Sequence, residues 1–165
     1  MSFYEIVDAS EINAYLMVGN QPSSQDDDFL TRKKIMFVLN LSNSPVQYIK
    51  PGVQYKSIPL DDEDDEDLTH HLEECLDFLK ACKKTCDETK SRILIYSYFG
   101  LSRSCSVALA HLMKEDGWTL EYAWNHLREC NPSAKPNDGF LLQLLEYERI
   151  LHGKISMTMT DFYTR

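Results

Sequence analysis

The sequence predicts a single α/β domain. In it a central, mixed, mostly parallel sheet of about five strands is flanked by helices. Two observations carry that expectation. Short apolar or alternating runs of strand length recur between longer segments with helical spacing. One of those runs, Ile93-Leu94-Ile95-Tyr96, passes through a tight loop containing one glycine into residues 104–115, which are spaced as a helix. A strand–loop–helix of this kind belongs at the carboxyl end of a central strand. A chain of 165 residues fits one domain, and 43% hydrophobic residues suffice for a core. The domain is expected over residues 1–153, with a C-terminal tail over 154–165.

Taken in order, residues 5–19 read as strand-rich, with Ile12, Tyr15, Leu16 and Val18 as apolar anchors. Asp26-Asp27-Asp28 precedes Phe29-Leu30 and can cap a helix N-terminus. Residues 35–41 form a buried strand. Residues 42–53 hold Pro45, Pro51 and Gly52 and are mostly loop. Residues 53–60 alternate as a strand. Residues 68–82 have helical spacing through Leu68, Leu72, Cys75, Leu76, Phe78 and Leu79. Residues 83–92 read as a charged connection. Helices are expected over 104–115, 120–130 and 139–151, with Gly117 breaking the chain between the first two. Trp118 and Trp124 are expected in the core and His111 as an ordinary helix residue. The tail has little pattern beyond Phe162 and Tyr163, which could dock.

A net charge of −9 argues against nucleic acid or an anionic membrane as partner, since both need basic patches. No apolar run approaches the ~20 residues of a membrane span. The polar, acidic N-terminus is unlike a secretory signal. The five cysteines, Cys75, Cys82, Cys86, Cys105 and Cys130, are an odd, scattered set and read as reduced thiols, which fits a cytoplasmic or nuclear protein. Cys82 and Cys86 are four apart with no second ligand pair nearby, so neither zinc nor any cofactor is expected.

The chemistry concentrates in Tyr96-Ser97-Tyr98-Phe99-Gly100-Leu101-Ser102-Arg103-Ser104. A tight loop leading into a helix turns several backbone N–H groups and the helix N-terminus toward one spot, which makes an anion site. Gly100 permits the turn, and Arg103 supplies a planar fork suited to two phosphate oxygens. A phosphate or sulfate can occupy such a loop. Arg103 could equally be tied to Glu74 or Asp77 on the preceding helix. Cys105 lies inside the helix, pointing away from the cradle.

This loop resembles the signature loop of the cysteine-dependent protein phosphatases, and most closely that of their dual-specificity branch. The family pattern is His-Cys, two residues, Gly, two residues, Arg, then Ser or Thr. Gly100, Arg103 and Ser104 match, whereas Tyr96 stands in the His place and Ser97 in the Cys place. Leu16-Met17-Val18-Gly19-Asn20, Phe37-Val38-Leu39-Asn40-Leu41 and Pro136-Asn137-Asp138-Gly139-Phe140 extend the likeness over roughly residues 5–152. The resemblance implies a phosphate cradle over Ser97, Tyr98, Phe99, Gly100, Leu101, Ser102 and Arg103. It implies a general acid at Asp62, with Asp61 as second choice, and a supporting bond from Asn40 to the loop backbone. Asp61 to Asp67 contains seven carboxylates, so a merely solvated acid run is the competing reading.

A serine hydroxyl needs an adjacent base to act as nucleophile, and none lies in the loop. The Tyr96–Ser97 pair resembles the inactive serine/threonine/tyrosine-interacting-like proteins. On that ground the chain is expected not to be an enzyme, but a module that binds a phosphoprotein, a protein kinase or an active phosphatase. Two alternatives stand beside this. The chain could be an active dual-specificity phosphatase with Cys→Ser at residue 97, a substrate trap. Or its pocket could be plugged and its partners bound elsewhere. Tyr98 and Phe99 could stack on a phosphotyrosine ring, fill the pocket, or form an exposed binding patch.

Overall fold

The computed structural model describes residues 6–164. Glu5, the expected start of the strand-rich segment, and the two extreme ends of the expected domain and tail lie outside them. Five strands form one sheet: β1 (Ala9–Glu11), β2 (Leu16–Gly19), β3 (Ile35–Asn40), β4 (Gln54–Ser57) and β5 (Arg92–Tyr96). Their spatial order is β1-β2-β5-β3-β4. Only β1 runs antiparallel to its neighbour; the other pairs are parallel. The sheet is mixed and mostly parallel, and β5 lies at its centre.

Alternation along β5 divides the core. Ile93 and Ile95 pack with the large cluster beneath α3 (Leu68–Thr89), α4 (Arg103–Asp116), α5 (Leu120–Cys130) and α6 (Asp138–His152). Leu94 and Tyr96 face the opposite side, with Met17, Phe29, Leu30, Ile35 and Val38. Two short helices, α1 (Gln21–Gln25) and α2 (Asp27–Arg32), stand on that side. Asp26 caps α2, its carboxylate accepting from Phe29 N at 2.8 Å.

α3 runs seven residues beyond the expected end at residue 82, through what reads as a charged connection. The reason is periodic. Cys82 and Cys86 keep the buried stripe going one turn at a time, while Lys83 and Asp87 form an i,i+4 pair at 2.9 Å on the outside. The helix ends at Lys90, whose left-handed backbone (φ +58°) closes an N–H bond to Cys86 O.

The segment after α6 is packed. Phe162 is buried edge-to-face on Trp124. The buried Glu148 accepts from Leu120 N (2.6 Å), Ser156 N (2.8 Å) and Ser156 Oγ (2.7 Å), tying α5, α6 and that segment together. His111 is buried on α4 and shares a 2.7 Å hydrogen bond with the Tyr15 hydroxyl. Trp124 is buried, whereas Trp118 is half-buried against Tyr122 and His126.

Candidate active site

The loop from Ser97 to Ser102 leaves the end of the central strand and is pinned from two sides. Ser97 N donates to Gly19 O (3.4 Å), and Gln21 N donates to Tyr98 O (3.1 Å). On the other side Lys135 N donates to Leu101 O (2.8 Å), and Asn137 N donates to Ser102 Oγ (2.9 Å). Gly100 adopts φ +74°, and a Cβ there would lie 2.8 Å from the Gly19 carbonyl carbon and oxygen. Only glycine allows both that backbone and that approach. The N-terminus of α4 carries no side-chain cap, which leaves its first-turn N–H groups for an anion.

Ser97 is 1% exposed, and its Oγ lies 3.0 Å from Ser104 Oγ. Arg103 is 8% exposed. Its Nη1 donates to Leu60 O at 3.1 Å, and its buried Nε has no hydrogen-bond partner among the described residues. Burial holds the guanidinium pKa below its ordinary value, while the charges of Asp62 and Asp61 work the other way. Neither carboxylate proposed on α3 reaches this arginine. Glu74 pairs with Lys56 at 3.1 Å, and Asp77 lies on the exposed side of the helix. The anchor is instead a backbone carbonyl at the entrance to the acid loop.

That loop is docked rather than loose. Asp62 Oδ1 accepts from Asn137 Nδ2 at 3.0 Å, and Asp61 Oδ1 accepts from Asn43 Nδ2 at 2.7 Å. Glu66 accepts from Asp61 N, and Asp67 caps α3 through His70 N. Gln143 Nε2 donates to Glu66 O at 2.8 Å, and Gly139 N donates to Asp64 Oδ1 at 3.3 Å. Asn137 therefore does two jobs: it caps α6 through Phe140 N and holds Asp62. The sequence marks only the first. The closest packing is at Gly139, where an added Cβ would fall 2.0 Å from Asp64 O. Gly139→Ala should destabilise the fold by about 3 kcal/mol, read as a lower urea midpoint. Asp64→Gly should not rescue it, because the obstructing atoms are backbone.

Asn40 does not bond the phosphate loop as expected. Its Nδ2 donates to Ser44 O (2.8 Å) and Ser57 Oγ (3.2 Å), and its Oδ1 accepts from Ser42 N and Oγ. It organises the turn after β3. Backbone links that turn to the end of β5, Leu41 N donating to Tyr96 O at 2.9 Å, and Asn43 links it to the acid loop through Asp61.

Tyr96 is buried on the far face of the sheet, and burial raises its hydroxyl pKa. Cys105 is fully buried behind the loop; its Sγ donates to Gly100 O at 3.5 Å. Burial pushes that thiol up to about 12. Tyr98 and Phe99 stand outward, 41% and 59% exposed, as an edge-to-face pair with centroids 4.8 Å apart.

A family model for the dual specificity phosphatase catalytic domain matches residues 16–150. Human protein phosphatase Slingshot homolog 1 is 31% identical over 153 residues, 89% of this chain and 14% of that protein. Human dual specificity protein phosphatase 5 is 30% identical over 138 residues, 84% of this chain and 35% of that protein. The chain thus spans between 14% and 35% of these two relatives' length. The crystal structure of human DUSP28 is 30% identical with a TM-score of 0.78, covering 90% of this chain and 99% of that one.

These likenesses overturn the expectation that the chain is not an enzyme. Relatives aligned over most of it are named protein phosphatases, and the matching model is that of a catalytic domain. That expectation let one side-chain atom at residue 97 stand for the whole site. The loop, the buried arginine and the docked acid loop around it are all assembled. By the match over residues 16–150 and the shared fold, the chain belongs to the dual-specificity phosphatase family.

Proposed function

We propose that this domain is the site of a dual-specificity protein phosphatase acting on phosphoproteins, with Ser97 in the nucleophile's place. In this form the site captures its substrate, as the Cys→Ser alternative implies. The observation that carries the reading is Arg103. A buried guanidinium with one orphan N–H, beside an uncapped helix N-terminus, is a site short of an anion. The loop N–H groups and Arg103 hold the phosphoryl oxygens. With cysteine at residue 97 its thiolate would attack phosphorus, forming the phosphorus–sulfur bond as the phosphorus–oxygen bond to the substrate breaks, and water would then hydrolyse the phosphoenzyme to inorganic phosphate and free thiolate. Ser97 has no base to take its proton and stops at capture. Asp62 gives its proton to the leaving oxygen, which departs as the hydroxyl of the dephosphorylated residue. Protein kinases and other phosphorylated signalling proteins are suitable substrates.

Titration calorimetry of the chain with phosphotyrosine and with tyrosine tests this. Phosphotyrosine should bind and tyrosine should not, with affinity falling as salt rises. Equal behaviour of the two ligands would remove the cradle from the account.

A further inference from the structure

A groove of about 730 Å³ opens beside the phosphate loop. Residues 6–8 and α1 form one wall, and Tyr98, Phe99 and Leu101 form the other. We infer that this groove seats the substrate chain next to the phosphoresidue, taking a large apolar side chain with a lysine or arginine beside it. The inference rests on the cradle reading above, since the same loop supplies both.

Three features point to that occupant. The first is continuity: Tyr98, Phe99 and Leu101 lie between Ser97 and Arg103, so a chain leaving the cradle on this side meets them within about three extended residues. Ile6, Tyr98 and Phe99 all present apolar surface there, 49%, 41% and 59% exposed.

The second is charge. Asp8 lines the groove, and its carboxylate makes no hydrogen bond or ion pair with a described residue. No lysine or arginine among the described residues lines the groove. The acid loop adds Glu63 and Asp65, both exposed, whose carboxylates make no hydrogen bond or ion pair with a described residue. A chain of net charge −9 whose groove beside the anion cradle carries the free carboxylate of Asp8 favours a basic residue next to the phosphate.

The third is an orphan acceptor. Gln21 lines the groove and spends its backbone N–H on Tyr98 O, but its side-chain Oε1 is buried without a donor among the described residues. A buried carbonyl without a partner is costly, and a turn of that side chain into the groove would let an N–H of a bound peptide backbone satisfy it.

The test uses the whole chain and two phosphotyrosine peptides, one with leucine and lysine beside the phosphoresidue and one with alanine and glutamate. The first should bind about tenfold more tightly. Asp8→Lys should shrink or reverse the lysine-over-glutamate preference, while phosphotyrosine still binds and tyrosine still does not. If the two peptides bind equally and phosphotyrosine still displaces both, the cradle works and the groove is idle, which overturns the inference. A concentration-dependent dimer that Asp8→Lys dissolves would assign the groove to a second copy and overturn it too. If no ligand binds through its phosphate, the cradle reading fails and takes this inference with it.

Discussion

Ser97→Cys should raise hydrolysis of a small aryl phosphate by about 10³-fold or more, the scale on which nucleophile changes act. Residue 97 is buried at the end of the central strand, and the group its Oγ touches is the Ser104 hydroxyl at 3.0 Å. A hydroxyl is not a base, so a serine there lacks the partner that activates serine nucleophiles. A thiol needs less help. Loop amides and a helix N-terminus lower its pKa from ~8.5 into the range ~3.5–7.5, giving a thiolate near neutrality, and Ser104 can donate to it. Adding Asp62→Asn should then lower the rate by about 10²-fold for a poor leaving group and far less for a good one. Asp61→Asn should have the smaller effect, because that carboxylate is turned to Asn43. Tyr96→His on top of Ser97→Cys should lower thermal stability. It removes a 1% exposed ring from its packing with Phe29, Leu30 and Val38. Silence of both the single and the double variant, with phosphotyrosine still bound, would mean that the loop does not present a thiolate at residue 97 to phosphorus.

Much of this arrangement is legible along the chain because its causes are local. α5 spans the expected residues 120–130, where a Thr119 cap and an apolar stripe sit within one segment. Gly100 is legible as a turn because its strained φ is a local demand. What escapes the sequence depends on atoms distant along the chain or on backbone. The partner of Arg103 is the carbonyl of Leu60, and a carbonyl has no residue type to read. Asn137 holds Asp62 across 75 positions, so its second role shows only once α6 and the acid loop are side by side. The end of α3 is obscured for the opposite reason. Its last turns carry a full charged face, and two cysteines alone mark the buried side.

Arg103→Met should erase binding of phosphotyrosine while leaving the unliganded fold within about 1 kcal/mol of its starting stability, or above it. The guanidinium is 8% exposed, makes one 3.1 Å bond to Leu60 O, and leaves Nε without a partner. Burial is the largest influence on its pKa and pulls it down; Asp62 and Asp61 offset part of this without forming an ion pair. In the empty site the charge is therefore under-compensated, and a thioether of similar length fills the same space without needing a partner. With phosphate bound the balance inverts. On the proposed reading the fork would meet the oxygens in a site sheltered from water, and losing it should cost on the order of 2–5 kcal/mol of binding. The readout is thermal unfolding with and without phosphotyrosine. At a ligand concentration 100 times its dissociation constant the unsubstituted chain should gain about 2.7 kcal/mol, and Arg103→Met should gain less than about 1 kcal/mol. Arg103→Lys should fall between, because it keeps the charge but not the two-pronged geometry. A large loss of stability in Arg103→Met without ligand would instead make this arginine a strut for Leu60. Retained stabilisation by phosphotyrosine in that variant would place the anion elsewhere.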